Sequence, residues 1–397
     1  MTRSGKEWHD TPVLPESDYV SSDIYTDMDL FKTEQEELKR KTWKFACHTS
    51  EIPTHGDFRT LDHSGVPIIV TRSDDGEIRA FVNSCSHRNT TIMREPSGNA
   101  KLWTCLFHRW TYNTKGECTA ISAPDGYEGT GICKENAGLR EVQIAIRLDL
   151  VFINLNDEAS FDNDIGDALE GLTDVLGTKK LEVFHYHKFL VKGNWKLWHE
   201  TNMELYHEFL HYVNRRVAMG GDGYFDRQWK IYPGGHGTLN PMKQKYERVE
   251  GWVQRAEKPL PGLGSGEFRM LVLFPDTTFL IRTTTLRIDT STPISPNLTL
   301  VEQRGLGIAG ESDEDREMRR KHHNQYWGPF GRNLSEDAIA VEALDAAIRG
   351  DGGSWGLFAR RENDRALDDV MVREYYKEWQ RYMNRPAHIR ASRPSNT

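Results

Sequence analysis

The sequence contains few cysteines, no long apolar run and little excess charge. Its five cysteines are an odd number in 397 residues, which excludes the dense disulfide framework of small secreted proteins. No stretch approaches the ~20 apolar residues of a membrane-spanning helix, and residues 1–10 are polar, unlike a secretory leader. We therefore expect a cytoplasmic protein. The net charge of −8 argues against nucleic acid or an acidic membrane as the main partner.

The order of apolar runs and turn residues predicts two domains after an N-terminal segment. Residues 1–44 include a helix over about 27–40 and are expected to pack on the second domain. Residues 45–158 hold short apolar runs separated by glycine- and aspartate-containing turns, which is typical of a small antiparallel β domain. Over 159–397, strands are flanked by helices without βαβ alternation. The overall class is therefore predicted to be α+β.

Individual elements can be assigned within both domains. In the first domain, we predict strands over 66–71, 78–82, 102–106 and 150–155. In the second domain, we predict helices over 195–213, 312–326, 335–348 and 368–383, and strands over 268–274, 279–287 and 298–307. The tail after Asn384 is polar and is expected to be frayed.

Two short motifs combine a cysteine with a histidine. Cys85 and His87 stand two residues apart, and after 17 residues Cys105 and His108 stand three residues apart. A zinc finger usually keeps both cysteines in one pair and both histidines in the other. A Rieske [2Fe–2S] cluster needs two cysteines on one iron and two histidines on the other, which these loops supply. The mixed order favours the cluster over a zinc knuckle or unrelated buried side chains. The remaining cysteines are expected to be packing residues: Cys47, Cys118 and Cys133.

A second candidate metal site lies within the helix predicted over 195–213. His207 and His211 are four residues apart and would project from one helical face, as two ligands of one metal should. Glu204 and Glu200 would extend the same stripe. The other faces are rich in large apolar residues, so the stripe would be buried and its ionisable groups would need partners. From these residues alone, a metal site and a buried hydrogen-bond network are equal alternatives.

A third ligand for this site would be a carboxylate. Two histidines and one carboxylate on one face of Fe(II) leave open positions for O₂ and substrate. Downstream, a glycine-containing turn over 327–331 leads into a segment that ends in Glu336 and Asp337. On a helix these two side chains would point about 100° apart, so both cannot easily bind one metal.

Together these motifs resemble the α-subunit of the Rieske aromatic-ring-hydroxylating oxygenases. Arg88, Trp110 and Tyr112, which flank the cluster motifs, add to a resemblance that extends over nearly the whole chain. It implies a Rieske [2Fe–2S] domain and a helix-grip-like catalytic domain with a central antiparallel sheet. It also implies that Asp337 is the carboxylate ligand of a mononuclear Fe(II), because the family's aspartate ligand follows a glycine-rich turn.

The resemblance also has implications for assembly and partners. Such α-subunits form trimers, with or without a small β subunit, and receive electrons from an NAD(P)H-dependent reductase or a ferredoxin. A bridging carboxylate links a cluster histidine of one subunit to an iron-ligand histidine of the next. Glu204 stands at the bridging position. It would couple His108 of one subunit to His207 of its neighbour.

Two residues and one spacing depart from the family pattern. Glu204 stands where aspartate is usual, Glu200 stands where asparagine is usual, and three residues instead of four separate the two histidines. A glutamate is still long enough to span two imidazoles. The additional acid Glu200 would favour oxidised iron and alter the supply of protons. Both glutamates are therefore candidate catalytic residues.

The implied activity is hydroxylation of a small anionic aromatic substrate with O₂, by mono- or dioxygenation. The departures leave a monooxygenase of a small sulfonate, or of another non-aromatic substrate, as an alternative. A non-catalytic Rieske electron-transfer protein is the alternative from another class. Arg215 and Arg216 could bind a carboxylate or sulfonate. Arginines at a helix C-terminus often only complement the helix dipole, and we favour that interpretation.

Overall fold

The computed structural model describes residues 8–216, 223–246, 257–360 and 368–391. The chain divides into two compact units. The inserted unit is Lys39–Ala159, and the discontinuous unit combines Met1–Leu38 with Ser160–Thr397. The sheets are antiparallel and are accompanied by helices, which confirms the predicted α+β class. Within the described ranges, no helix has both the length and the apolar character needed to cross a membrane.

The N-terminal segment of the discontinuous unit is helical over most of the range predicted. Its elements, which continue into the inserted unit, are β1 (Tyr19–Ser21), α1 (Asp23–Thr26), α2 (Met28–Thr33), a π-helical turn (Glu34–Leu38) and a 3₁₀ turn (Lys39–Lys41). The Asp27 carboxylate accepts the backbone N–H groups of Asp29 and Leu30 at 2.9 and 2.8 Å. This side-chain cap fixes the start of α2.

The buried carboxylate of Glu34 connects this segment to the rest of the discontinuous unit. It accepts the indole N–H groups of Trp195 and Trp379 at 3.0 and 2.8 Å. It also pairs with Nζ of Lys196 at 2.7 Å, and both charged side chains are fully buried. Removing one partner would leave the other charge buried and unpaired, at a cost of about 3–5 kcal/mol.

The inserted unit contains two antiparallel sheets, and the structure describes it along its whole length. Its strands are β2 (Lys44–His48), β3 (Asp57–His63), β4 (Val66–Arg72), β5 (Ile78–Val82), β6 (Ser97–Asn99), β7 (Leu102–Thr104), β8 (Thr111–Asn113), β9 (Cys118–Ala120), β10 (Glu141–Arg147) and β11 (Leu150–Asn154). The larger sheet has the order β2-β11-β10-β5-β4-β3-β6, and the smaller sheet has the order β7-β8-β9. The predicted strands are present as β4, β5, β7 and β11.

The cysteines outside the two motifs differ in exposure. Cys47 and Cys118 are buried, as expected of packing residues, but Cys133 is exposed. The packing prediction was therefore wrong for Cys133. This residue precedes a 3₁₀ turn (Lys134–Asn136), and a short polar turn has no apolar core in which a thiol could be buried.

The discontinuous unit is built on an antiparallel sheet. Its further strands are β12 (Leu181–Val191), β13 (Trp229–Tyr232), β14 (His236–Lys243), β15 (Glu267–Leu273), β16 (Thr277–Arg282), β17 (Thr285–Ser295), β18 (Leu298–Ile308) and β19 (Trp355–Leu357). The main sheet has the order β12-β18-β17-β16-β15-β14-β13, and β19 pairs with β1. The single strand predicted over 279–287 was wrong. Thr283 has a φ of 48°, a left-handed conformation that turns the chain between β16 and β17.

Helices of the discontinuous unit pack with the sheet around one core. They are α3 (Asp167–Glu170), α4 (Thr173–Leu176), α5 (Trp195–Glu200), α6 (Tyr212–Arg216), α7 (Asp313–Trp327), α8 (Arg332–Arg349) and α9 (Val370–Met383). The last three confirm the predicted C-terminal helices. Trp195, Val272, Val341 and Trp379 belong to the shared core and are almost fully buried.

The tail after Asn384 does not fray at once. Ala387 is buried, and its carbonyl accepts the N–H of Ser21 at 2.9 Å. The N–H of Ala391 is donated to the Asp23 carboxylate at 2.8 Å. The prediction of a frayed tail was thus wrong up to Ala391, and residues 392–397 lie outside the described residues.

The prediction of one helix over 195–213 was also wrong. α5 ends at Glu200 and α6 begins only at Tyr212, with a 3₁₀ turn between them. The carboxylate of Glu204 accepts the backbone N–H of His207 at 3.1 Å. A side chain that satisfies a backbone group in this way competes with continuation of the helix. His207 and His211 therefore do not share a regular helical face.

Candidate metal centres

The cysteine–histidine motifs occupy two loops of similar backbone geometry in the inserted unit. In each loop, the cysteine carbonyl accepts the N–H group four residues later. The Cys85 carbonyl accepts from Asn89 at 2.8 Å, and the Cys105 carbonyl accepts from Arg109 at 3.0 Å. Asn89 and Arg109 have positive φ angles of 57° and 64°. Each loop therefore reverses direction just after its histidine.

The candidate ligand side chains of the two loops converge. The ring centroids of His87 and His108 are 4.5 Å apart, and the thiols of Cys85 and Cys105 are buried. The Nδ1 atoms of both histidines are buried and, within the described residues, have no hydrogen-bond partner. Because a buried polar atom without a partner is costly, these two nitrogens fit a role as metal ligands.

Neighbouring side chains hold these ligands in place. The Tyr127 hydroxyl is 3.0 Å from Nε2 of His87. Trp110 stacks on the His87 ring with a centroid distance of 4.9 Å and an interplanar angle of 11°. The Tyr112 hydroxyl lies 3.2 Å from Sγ of Cys85. Hydrogen bonds to a cluster sulfur tune its reduction potential, and contacts to a ligand ring fix its orientation.

The spacing of ligand atoms separates a cluster from a single zinc ion. Among the residues that the structure describes, the group whose ligand atoms lie close enough together to bind one metal ion is His207, His211 and Asp337. The cysteines and histidines of the two loops are not gathered to that spacing, as a structural zinc ion would require. Two irons bridged by sulfide need a wider frame, so the loops fit a [2Fe–2S] cluster.

The discontinuous unit brings three candidate ligand side chains together in spite of the broken helix. Ligand atoms of His207, His211 and Asp337 all lie within 4.8 Å of one another. The two Nε2 atoms are 3.8 and 3.5 Å from Oδ1 of Asp337. This oxygen is buried and has no hydrogen-bond partner in the described ranges, and burial raises the pKa of Asp337 to about 7. A bound cation would satisfy it, and two imidazoles with one carboxylate suit non-haem Fe(II).

Two further carboxylates hold the Nδ1 atoms of the same histidines. Oε1 of Glu204 is 2.8 Å from Nδ1 of His207, and Oε2 of Glu336 is 2.7 Å from Nδ1 of His211. Each Nδ1–H donates to its carboxylate, which leaves the Nε2 lone pairs for a metal. Glu336, which competed with Asp337 as third ligand in the sequence, thus contacts a candidate ligand histidine.

The two units match two family models. Residues 42–135 match the Rieske [2Fe–2S] domain, and residues 178–385 match the catalytic domain of the ring-hydroxylating alpha subunit. The chain is 41% identical over 391 residues to the 2-aminobenzenesulfonate 2,3-dioxygenase subunit alpha of Alcaligenes sp, covering 98% of this chain and 99% of that protein. The chain belongs to the ring-hydroxylating Rieske oxygenase α-subunits.

Further similarities are to a second relative and to two solved structures. It is 40% identical to the methanesulfonate monooxygenase hydroxylase subunit alpha of Methylosulfonomonas methylovora, over 96% of this chain and 95% of that one. The structure of naphthalene 1,2-dioxygenase with bound indole matches with a TM-score of 0.79 at 21% identity, covering 95% of this chain and 94% of that one. A quaternary ammonium Rieske monooxygenase matches with a TM-score of 0.77 at 20% identity, covering 94% and 100%. These two structures show the same fold.

Family membership confirms the main predictions about the oxygenase. It is an enzyme with a Rieske [2Fe–2S] domain and a catalytic domain that binds mononuclear iron. The catalytic-domain match over 178–385 sets aside the alternative of a non-catalytic electron-transfer protein. Rieske oxygenase α-subunits work with a reductase or ferredoxin and form oligomers.

A cavity of about 470 Å³ adjoins the mononuclear site of the oxygenase. His207 and Asp337 line it, and so do both candidate catalytic glutamates, Glu200 and Glu204. Most of the other walls are apolar, including Leu197, Val341, Leu344, Phe358 and Val372. Low polarity around a carboxylate strengthens its interactions with nearby charges. The two glutamates therefore line the same cavity.

The carboxylate of Glu200 is held by two phenols of the oxygenase. It accepts hydrogen bonds from the hydroxyl groups of Tyr25, at 2.9 Å, and Tyr376. Burial raises the pKa of Glu200 to about 7, although both hydrogen bonds and the charge of Lys196 oppose the rise. A carboxyl group with this pKa can gain or lose a proton near neutral pH, as an acid–base residue must.

We expect Glu200→Gln to stabilise the oxygenase at pH 8 but not at pH 5. A carboxyl group whose pKa rises on folding, here from 4.5 to about 7, makes the folded state lose stability as pH rises through that window. Glutamine still accepts the tyrosine hydroxyls and carries no charge. The Tm of the variant should exceed that of the parent by about 3 °C at pH 8, measured by circular dichroism. Glu317→Gln, on the surface of α7, should show no such pH dependence. Equal Tm values at pH 8 would contradict the prediction.

The arginines singled out in the sequence do not reach the site. Arg215 and Arg216 are exposed at the end of α6, where they complement the helix dipole. Two other arginines of the oxygenase, Arg227 and Arg282, are buried. Sequence reasoning missed them because they are 55 residues apart and belong to no motif.

Proposed function

We propose that the oxygenase is the terminal component of a multicomponent system that hydroxylates a small anionic aromatic substrate, an aryl sulfonate, with O₂ and electrons from NAD(P)H. The arrangement of His207, His211 and Asp337 carries this proposal, because both histidines turn Nε2 towards the carboxylate. The similarity to a protein named 2-aminobenzenesulfonate 2,3-dioxygenase supports the substrate class. Delivery of the electrons requires an NAD(P)H reductase, with or without a ferredoxin.

The ligands of the two cofactors are part of the proposal. Cys85 and Cys105 would bind one iron of the cluster. His87 and His108 would bind the other through their Nδ1 atoms, which have no hydrogen-bond partner among the described residues. His207, His211 and Asp337 would hold the mononuclear Fe(II). When bound, the cluster supplies single electrons and the mononuclear iron supplies the chemistry of O₂.

Glu204 is the proposed link between neighbouring copies. One of its oxygens orients the ring of His207, and its length allows the carboxylate to reach an imidazole of another copy as well. Leu106 and Phe107 precede His108 and are 51% and 55% exposed, which provides an apolar edge for docking. We propose that the oxygenase is a trimer, with or without a small β subunit, in which His108 meets Glu204 of the next copy.

In the proposed function, Glu200 exchanges protons with the cavity, and the apolar walls of the cavity keep bulk water out. Tyr25 and Tyr376 donate to Glu200 and keep its carboxyl group in one orientation. With a pKa near neutrality, the group can release a proton into the cavity and regain one from solvent. The apolar walls exclude bulk water and so limit competing proton transfer.

The proposed domain division is 1–44, 45–158 and 159–397. The compact unit Lys39–Ala159 supports a separate Rieske domain. The pairing of β1 with β19 and the contacts of Glu34 support packing of the N-terminal segment on the catalytic domain.

A small alkyl sulfonate is the second candidate substrate. The observation that favours it is the 40% identity to a protein named methanesulfonate monooxygenase hydroxylase subunit alpha. The two candidates share the sulfonate group and differ in the part of the substrate that is oxidised.

A substrate panel tests the proposal. The purified holoenzyme, supplied with NADH and a surrogate reductase, would receive 2-aminobenzenesulfonate, benzenesulfonate, benzoate or methanesulfonate. We expect O₂ uptake and hydroxylated product, identified by mass spectrometry, with the aryl sulfonates. Product from methanesulfonate alone would select the second candidate. Cluster reduction and reoxidation without product from any compound would contradict the proposed function.

A further inference from the structure

Two buried arginines of the discontinuous unit form no ion pair with any residue that the structure describes. Arg227 is 4% exposed and Arg282 is 8% exposed. Nη1 and Nη2 of Arg227, and Nε and Nη1 of Arg282, are buried and form no hydrogen bond with any residue that the structure describes. By contrast, the nearby guanidinium of Arg287 pairs with Asp289 at 3.0 Å. A buried cation without a counter-ion is unusual because its desolvation is not compensated.

Aromatic rings hold the two guanidinium groups in place. The Cζ atoms of Arg227 and Arg282 lie 5.2 and 5.0 Å from the ring centroid of Phe268. Arg227 also lies over Tyr224 at 4.4 Å, and Arg282 over Tyr326 at 4.2 Å. Stacking on a ring fixes the plane of a guanidinium and stabilises its charge without neutralising it. The donor edges of both groups therefore stay available around one shared ring.

Two contacts place the pair beside the mononuclear site. Arg227 lies over the ring of Tyr224, and the side chain of Tyr224 forms a hydrogen bond with Glu208, the residue after the first candidate ligand histidine. The Cζ atom of Arg282 is 5.5 Å from the ring centroid of Trp327, the last residue of α7, and the helix α8 that carries the candidate carboxylate ligand begins five residues later. Both guanidinium groups therefore lie against segments that lead into the candidate metal ligands.

We propose that Arg227 and Arg282 form the subsite that binds the anionic head group of the substrate, a sulfonate, next to the mononuclear iron. This inference rests on the proposed function and identifies the residues that select the substrate. A sulfonate supplies one negative charge and three acceptor oxygens, which match two planar guanidinium forks. Fixing the head group in this way leaves the rest of the substrate to point towards the open positions of the metal.

The test compares benzenesulfonate with benzenesulfonamide, a neutral compound of nearly the same shape. Both are titrated calorimetrically into the anaerobic holoenzyme and into Arg227→Met and Arg282→Met. We expect each substitution to raise the Kd of benzenesulfonate about 10-fold or more and to change the Kd of benzenesulfonamide by less than about twofold. Arg215→Met and Arg216→Met remove the same charge from the surface and should leave both Kd values unchanged.

Two further variants separate binding from folding. Arg227→Lys and Arg282→Lys keep the charge but lose the fork, so their Kd for benzenesulfonate should be intermediate. They also provide the comparison if a methionine variant does not fold. Unchanged benzenesulfonate affinity in folded variants, or an equal loss for both compounds, would overturn the proposal. So would binding of inorganic sulfate without binding of benzenesulfonate, which would assign the pair to a free anion.

The binding test of the subsite and the turnover test of the proposed function can fail independently. Arginine-dependent binding of benzenesulfonate by an enzyme that forms no product would uphold the subsite and contradict the proposed function. Hydroxylation of aryl sulfonates with equal KM in the parent and in both methionine variants would uphold the function and overturn the subsite alone.

Discussion

Asp337→Ala is expected to remove the mononuclear iron and leave the cluster intact. The Asp337 carboxylate would supply the single anionic ligand atom of the group that could hold the metal, and two neutral imidazoles would hold Fe(II) weakly without it. Iron should fall from about three to about two atoms per two labile sulfides. Turnover should fall by about 1000-fold or more, while the visible spectrum of the cluster stays unchanged. Metal and sulfide analysis, together with product formation, measure both effects.

The matched control for this variant is Asp313→Ala. Asp313 is exposed in the first turn of α7, so its removal should change neither iron content nor turnover. If Asp337→Ala retained about three irons per chain, Asp337 would not be a ligand. If it lost labile sulfide as well, the substitution would have damaged the fold instead of one site.

Glu204→Gln is expected to block the use of electrons without removing either cofactor. The amide can still contact His207, but it carries no negative charge with which to orient and polarise that imidazole and, in the proposed trimer, the imidazole of the next copy. Steady-state turnover should fall by about 100-fold, and iron and sulfide content should equal those of the parent. Stopped-flow absorbance would show slow reoxidation of the reduced cluster in the presence of substrate and O₂.

A conservative variant and a control make this experiment specific. Glu204→Asp keeps the charge and should restore part of the reoxidation rate. Glu374→Gln, on α9, removes a carboxylate that pairs with exposed Lys377 and should have no effect. Rapid reoxidation in Glu204→Gln would exclude Glu204 from the electron path, and loss of mononuclear iron would make its role one of supporting His207 alone.

The cluster loops could be anticipated from the sequence because their chemistry is local. Each motif places a cysteine and a histidine within a few residues, directly after the strands β5 and β7. A turn of that length can aim both side chains at one point, whatever the rest of the fold does. The outer contacts of Tyr127 and Trp110 with His87 depend on folding of the unit, so spacing alone did not reveal them.

The site of the discontinuous unit was anticipated for a reason that proved incorrect. Helical spacing suggested that His207 and His211 share one face, but the chain between α5 and α6 is not a regular helix. Glu204 forms a hydrogen bond to the backbone of His207, a local competition that periodicity does not detect. The side chains of His207 and His211 still meet at Asp337 because the tertiary fold, and not a shared helix, positions them.

Partners that come from distant parts of the chain were beyond sequence reasoning. Glu336 reaches Nδ1 of His211 from a position 125 residues away. Arg227, which lies between a 3₁₀ turn and β13, and Arg282, at the end of β16, gather around Phe268. Neither arrangement leaves a pattern in the sequence, since only the pairing of strands and packing of α8 brings these groups together.

The buried carboxylate of Glu34 also imposes an order on the biosynthesis of the protein. Residue 34 leaves the ribosome before Lys196 and Trp379, the latter 345 residues behind it. All residues of the Lys39–Ala159 unit are synthesised between these two points. A nascent chain can therefore complete the inserted unit first, while the polar centre of the other unit closes only after Trp379 has been synthesised.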